Sequence, residues 1–138
     1  MNEPGAVAPT ILVADDDLHI LSLVRNYFRK RDFHVLEASD GDEAMQKILE
    51  NEPSLVILDV MMPGQTGWEV CRSVRENPRL SGIGVIMLTG IGERLNEMTS
   101  PIYGADAYLD KPFDFGELEK LVTDVLAKRT GAAPAVGA

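Results

Sequence analysis

The sequence is poor in cysteine, in basic residues and in long apolar runs. Its one cysteine, Cys71, cannot form an internal disulfide, and we expect it to be a buried structural thiol in a helix. Lysine and arginine total 13 against 22 acidic residues, and the net charge of -9 argues against direct binding of nucleic acid or of an anionic membrane. No apolar run reaches the roughly 18 residues of a membrane span and no signal peptide is evident, so we expect a cytoplasmic chain.

Metal-binding and nucleotide-binding motifs of the common kinds are missing as well. The two histidines, His19 and His34, show no metal-ligand spacing, and there is no cysteine cluster that would indicate a zinc site. No Gly-x-x-x-x-Gly-Lys motif appears, and the loop after the first apolar run is acidic rather than rich in glycine or serine. A flavin-binding or nucleotide-binding module is therefore disfavoured, because the acidic loop would repel phosphate.

The 138 residues, 45% hydrophobic and 25% charged, are typical of one soluble globular domain. Residues 1–9 and 130–138 contain glycine, alanine and proline without periodicity, and we expect them to be loose tails or linker stubs. The folded domain should therefore extend over residues 10–129.

Five short apolar runs alternate with stretches that have the spacing of helices. The predicted strands are residues 10–14, 33–37, 55–58, 84–88 and 107–109. The predicted helices are residues 18–30, a segment from Ser39 to Pro53 capped by Ser39 and Asp42, 67–77 behind a Thr66/Glu69 capping box, 93–99 before Pro101, and a final helix behind Asp114/Glu117. Alternation of this kind predicts an α/β fold, with a parallel sheet covered by helices on both faces.

The most informative run is 55–58, four large aliphatic residues between Pro53 and the turn at Pro63-Gly64. It predicts a strand buried on both faces that ends at Asp59. Taken alone, Asp59 could equally be a turn residue, since aspartate is common after strands.

Other predicted strands also end in polar groups, namely Asp15-Asp16, Thr89 and Lys111. In a parallel sheet these ends meet Asp59 at one edge, where open α/β sheets bind their ligands. The carboxylates would repel one another by roughly 4 kcal/mol per pair at ~4 Å, and a cation would relieve this repulsion. Oxygen ligands favour Mg²⁺, and a carboxylate such as Asp59 can attack phosphorus to form an aspartyl phosphate.

With these residues in place, the chain resembles the receiver domain of two-component response regulators, the CheY-like family. The resemblance covers about residues 10–128 and rests on four ordered motifs. They are Ile11-Leu12-Val13-Ala14-Asp15-Asp16-Asp17, Leu58-Asp59-Val60-Met61-Met62-Pro63-Gly64 with Gly67, Val85-Ile86-Met87-Leu88-Thr89-Gly90, and Gly104-Ala105-Asp106-Ala107-Tyr108-Leu109-Asp110-Lys111-Pro112-Phe113. The resemblance implies a doubly wound, flavodoxin-like five-stranded parallel sheet with strand order 2-1-3-4-5.

The resemblance also implies a function, a phosphorylation-dependent signalling switch rather than a turnover enzyme. Asp59 would accept a phosphoryl group from a histidine kinase or a histidine phosphotransfer protein. Asp16, Asp59 and the backbone carbonyl of Met61 would bind Mg²⁺ directly, and Asp15 would act through water. The downstream partner, either a separate protein or a fused output domain, stays open.

Further roles follow from the same resemblance. Thr89 and Lys111 would hold the phosphoryl oxygens, and Tyr108 would be the aromatic switch residue that moves with Thr89. Pro112 would follow Lys111 across a cis peptide bond. Asp17 is expected to cap a helix rather than to bind the metal.

The chain departs from the family pattern at a few positions. Gly90 stands where alanine is more usual, Gln65-Thr66 replaces a frequent Met-Asp pair, and Pro101 puts the length of the helix around 93–99 in doubt. The resemblance also implies that Met61 and Ile91, two residues after Asp59 and Thr89, influence how water reaches the phosphoryl group. Because both side chains are apolar, they cannot orient an attacking water, and we expect slow dephosphorylation.

Two alternative functions remain open at this point. An Asp-nucleophile phosphatase usually needs a second aspartate two positions after the first, where this chain has Met61. A pseudo-receiver that binds partners without phosphorylation is disfavoured, because every motif position that the chemistry requires is filled.

Overall fold

The computed structural model describes residues 8–90 and 104–130. This part of the chain contains five strands and four helices. The elements in chain order are β1 (Thr10–Ala14), α1 (Leu18–Arg29), β2 (His34–Ala38), α2 (Gly41–Asn51), β3 (Leu55–Asp59), α3 (Gly67–Glu76), β4 (Gly84–Thr89), β5 (Ala107–Asp110) and α4 (Phe115–Thr130). Among the described residues a helix follows every strand except β4. The helix predicted at 93–99 and Pro101 lie outside the described residues, as do most of the two predicted tails, so those expectations stay predictions.

The sheet is parallel throughout, and its strand order is β2-β1-β3-β4-β5. This confirms the predicted doubly wound topology. The central strands are buried on both faces because their alternate residues point into two separate apolar layers. One layer joins Leu12, Val56 and Met87 to α2 and α3. The other layer joins the alternate strand residues on the opposite face of the sheet, such as Ile57, to α1 and α4.

Most helix ends follow the predicted caps. Asp17 accepts hydrogen bonds from the amides of His19 and Ile20 at the start of α1, which confirms its capping role. Thr66 and Glu69 form the predicted capping box of α3. At the start of α4, Asp114 accepts a hydrogen bond from the amide of Glu117.

The cap predicted for α2 was wrong. Asp40, rather than Ser39, is the residue with extended backbone whose carboxylate accepts from the Glu43 amide, at 2.7 Å. The Glu43 side chain then accepts from the Ser39 amide at 2.8 Å. The prediction missed by one residue because either side chain can cap a helix, and the backbone decides which one does.

A buried acid ties the amino-terminal edge of the sheet together. The side chain of Asp106, only 3% exposed, accepts hydrogen bonds from Arg75 at 2.9 Å, from Arg129 at 2.8 Å and from the Val85 amide at 2.9 Å. It therefore links α3, α4, β4 and the start of β5, far along the strands from the acidic edge. Among the described helices, none has the length and apolar composition required to cross a membrane.

Candidate functional site

The carboxyl ends of four strands bring the predicted site residues together at one edge of the sheet. Asp15 follows β1, where its amide donates to the Ala38 carbonyl of β2. Asp59 ends β3 and Thr89 ends β4, and Lys111 follows β5 directly. All of these positions were predicted from the sequence, and the parallel topology places them on the same side.

Asp15, Asp16 and Asp59 form a compact acidic cluster. One carboxylate oxygen from each lies within 4.8 Å of the others, while Asp15 and Asp59 are buried and Asp16 is exposed. The ammonium of Lys111 contacts the cluster, with Nζ 2.9 Å from Asp15 Oδ2 and 3.2 Å from Asp59 Oδ1. One lysine therefore faces three carboxylates, which leaves the cluster with an excess of negative charge.

This charge imbalance shifts the proton affinities of the site. Burial, followed by the charge of Asp15, raises the pKa of Asp59 from 3.8 to about 7, although Lys111 acts in the opposite direction. Burial acts to lower the pKa of Lys111, but the contacts and charges of Asp15 and Asp59 outweigh it, so this pKa is raised. The lysine therefore stays protonated, and the charged form of Asp59 lacks sufficient compensation.

The cluster fits a hard divalent cation. Its donors are all carboxylate oxygens, which Mg²⁺ prefers. Asp15 Oδ2 is buried, and the Lys111 ammonium, 2.9 Å away, is an ion-pair partner for it. A buried acceptor of this kind can take a water molecule or a cation.

The loop after β3, which carries Met61, is held by backbone contacts. The Gly67 amide donates to the Val60 carbonyl at 2.8 Å, and the Gly41 amide of α2 donates to the Pro63 carbonyl at 3.0 Å. A Cβ atom at Gly67 would collide with the Asp59 carbonyl oxygen, so only glycine allows α3 to begin this close to β3. Met61, two residues after Asp59, is 59% exposed. Its carbonyl as a metal ligand stays a prediction.

The Thr89 hydroxyl is engaged on the side of β5. Thr89 is fully buried, and its hydroxyl donates to Asp110 Oδ1 at 2.7 Å. Sequence reasoning gave Asp110 no role. The signal that could have found it is the register of β4 and β5, in which Thr89 and Asp110 are direct partners.

Tyr108, the predicted switch residue, lies on β5 two residues before Asp110. Its half-buried ring packs against the apolar layer of α2 and α3, and the ring centroid is 5.9 Å from that of Trp68. The peptide bond between Lys111 and Pro112 is cis, as the motif implied. Ile91 lies outside the described residues, so its predicted position beside the phosphoryl group stays a prediction.

The comparisons with known proteins agree with this geometry. Residues 11–123 match the family model of the response regulator receiver domain. The transcriptional regulatory protein ResD of Bacillus subtilis is 41% identical over 118 residues, which are 86% of this chain and 48% of ResD. The alkaline phosphatase synthesis transcriptional regulatory protein PhoP of the same organism is 36% identical over 90% of this chain and 51% of its own length. The chain thus spans about half the length of these curated relatives.

Solved structures show the same likeness in three dimensions. The CheY-like response regulator receiver domain protein of Methanospirillum hungatei superposes with a TM-score of 0.84 at 27% identity, covering 90% of this chain and 98% of that one. A receiver domain protein from Clostridium thermocellum gives a TM-score of 0.82 at 28% identity, covering 88% of this chain and 97% of that one. From its sequence, its strand order and its acidic edge, this chain belongs to the response regulator receiver domain family.

Proposed function

We propose that the chain is a phosphorylation-controlled switch that accepts a phosphoryl group on Asp59 from the phosphohistidine of a histidine kinase or a histidine phosphotransfer protein. The observation that carries the proposal is the placement of Asp59, a buried carboxylate at a strand end between a second acid and a lysine. The family supports a signalling role rather than that of a turnover enzyme.

The proposed reaction is an in-line transfer between two side chains. An oxygen of Asp59 attacks phosphorus, the P–N bond to the donor imidazole breaks, and the bonding electron pair leaves with the imidazole, which takes up a proton. Lys111 already lies 3.2 Å from Asp59 Oδ1 and can neutralise a phosphoryl oxygen as a point charge. The apolar run of β3 and its neighbours keep the nucleophile fixed and largely out of water.

Mg²⁺ is the metal that we propose for this edge. Asp16, Asp59 and the Met61 carbonyl would hold it directly, and Asp15 would act through water. When bound, the ion would neutralise the acidic cluster and the incoming phosphoryl oxygens. The raised pKa of Asp59 supports this part of the proposal, because a nucleophilic carboxylate must be ionised and the described residues supply too little positive charge to hold it so.

Signalling requires that phosphorylation change a surface of the protein. We propose that Thr89 turns toward the phosphoryl group and that Tyr108 moves with it, which would bias two conformations of this side of the domain. The output is either a separate protein or a domain fused to this one. The curated relatives are named transcriptional regulators and are about twice as long, which supports a fused output. With a net charge of -9, this chain itself is not proposed to bind nucleic acid, and a cytoplasmic location is part of the proposal.

Neither alternative function gains support from the structure. A phosphatase of this kind would need a second aspartate at position 61, and the exposed Met61 side chain found there offers no proton. A pseudo-receiver would not need the contacts of Lys111 with two buried carboxylates.

The decisive experiment is phosphorylation by acetyl phosphate with Mg²⁺, followed on a phosphate-affinity gel. The wild type should give one retarded band and Asp59→Asn none. Asp17→Asn is the matched control, because it removes one acid from the same edge and keeps the helix cap, so it should behave like the wild type. No retarded band in the wild type, or an equal band in Asp59→Asn, would refute the proposal.

A further inference from the structure

Thr89 has one hydroxyl proton to donate, and two acceptors lie within reach of it. Asp110 Oδ1 is the nearer acceptor at 2.7 Å, whereas the Leu109 carbonyl, at 3.4 Å, is the longer and weaker one. The backbone keeps the two residues side by side, since Thr89 and Asp110 are paired in the sheet and the Lys111 amide donates to the Thr89 carbonyl at 2.7 Å. The bond from Thr89 to the Asp110 carboxylate is therefore short and charge-assisted.

The two partners differ in their exposure to solvent. Thr89 is fully buried, so its hydroxyl needs a protein acceptor, because an unsatisfied buried donor is costly. Asp110 is exposed, so its carboxylate is also accessible to water. Breaking the bond is therefore costly for Thr89 unless a replacement acceptor is present.

We infer that Asp110 is a positioning residue that holds the Thr89 hydroxyl on β5 in the unphosphorylated protein and competes with the phosphoryl group for it. The inference rests on the proposed function, in which Thr89 binds a phosphoryl oxygen on Asp59. Asp110 then stabilises the unphosphorylated conformation, and its removal favours the phosphorylated one. The side chain at position 110 therefore determines how strongly the phosphoryl group must bind the Thr89 hydroxyl to change the conformation.

The experiment uses beryllofluoride with Mg²⁺, a mimic of a phosphoryl group on a carboxylate, and measures affinity by calorimetry. Asp110→Ala should bind it roughly ten-fold more tightly than the wild type, the size expected for loss of a charged hydrogen bond. Asp110→Asn, which keeps a neutral acceptor, should fall between the two. Equal affinity in Asp110→Ala and the wild type would overturn the inference.

A second comparison separates the hydrogen bond from the charge of Asp110. Removing a negative charge near an anion site also raises affinity, but that effect does not need the hydroxyl of Thr89. The gain from Asp110→Ala should disappear in a Thr89→Val background and persist in Thr89→Ser. An equal gain in Thr89→Val would mean that only charge matters, and the inference would fail.

The resting state can be tested without any phosphoryl mimic. In urea unfolding, Thr89→Val and Asp110→Ala should each destabilise the protein and should be coupled in a double-mutant cycle, while additive effects would overturn the inference. If beryllofluoride does not bind the wild type at all, the proposed function fails and this inference fails with it. If it binds the wild type but not Asp59→Asn, and Asp110→Ala has no effect, only the inference fails.

Discussion

Asp59→Asn should stabilise the metal-free protein, although it removes the residue on which the proposed function depends. Asp59 is 5% exposed, and burial together with the charge of Asp15 raises its pKa from 3.8 to about 7. Asparagine has nearly the same shape, carries no charge and can still accept a hydrogen bond from Lys111. The substitution therefore removes an unfavourable charge and leaves the packing in place.

The sign of the pH dependence follows from the direction of this shift. Below pH 4 Asp59 is protonated in both the folded and the unfolded chain, and its ionisation has no effect on stability. Between the unfolded pKa of 3.8 and the folded pKa of about 7, only the unfolded chain ionises, so stability falls as the pH rises. Above pH 7 the full effect is present, with an upper value of about 4 kcal/mol.

Urea unfolding in EDTA between pH 4 and 8, followed by circular dichroism, tests this prediction. Asp59 is coupled to Lys111 and to neighbouring acids, so the observed effect should not exceed the upper value. We expect Asp59→Asn to raise the free energy of unfolding by about 2 to 4 kcal/mol at pH 8 and to leave it almost unchanged at pH 4. Asp17→Asn, the exposed control, should change by less than about 0.5 kcal/mol. A gain that does not depend on pH, or a less stable Asp59→Asn protein at pH 8, would refute the reasoning.

Two further results are expected. Asp106→Ala should lower the free energy of unfolding, measured in urea, by about 3 kcal/mol, because Arg75 and Arg129 lose their buried acidic partner. The exposed Asp124→Ala should change it little. Similar effects of the two substitutions would contradict the proposed contribution of the Asp106 ion pairs. The phosphorylated protein should lose its phosphoryl group slowly in Mg²⁺, because neither Met61 nor Ile91 can orient water, and loss within seconds on phosphate-affinity gels would show otherwise.

Much of the fold could be predicted because the physical signals are local. A run of four aliphatic residues between prolines favours a strand that is covered on both faces. The structure agrees, since all five residues of β3 are buried. Once the strands are parallel, topology alone brings Asp15, Asp59, Thr89 and Lys111 to one edge. The candidate site therefore followed from strand ends and the parallel sheet, while the individual ligand roles came from the resemblance.

What could not be predicted depends on choices among nearly equal side chains. Ser39 and Asp40 are both good caps, and a difference in backbone angles of one residue selects Asp40. The bond from Thr89 to Asp110 depends on a strand register and a rotamer, neither of which is encoded in the local pattern. The pairing of β4 with β5 brings the two residues together although they are 21 positions apart in the chain.

The loop that carries Met61 is held in shape by the protein's own contacts. Its start is fixed by β3, its middle by the hydrogen bond from Gly41, and its end by the close approach of Gly67 to the Asp59 carbonyl. Fixing backbone costs about 1–2 kcal/mol per residue, and here folding itself meets that cost. A cation that arrives at the acidic edge would therefore find this stretch of backbone already ordered, and its binding would not have to meet that cost again.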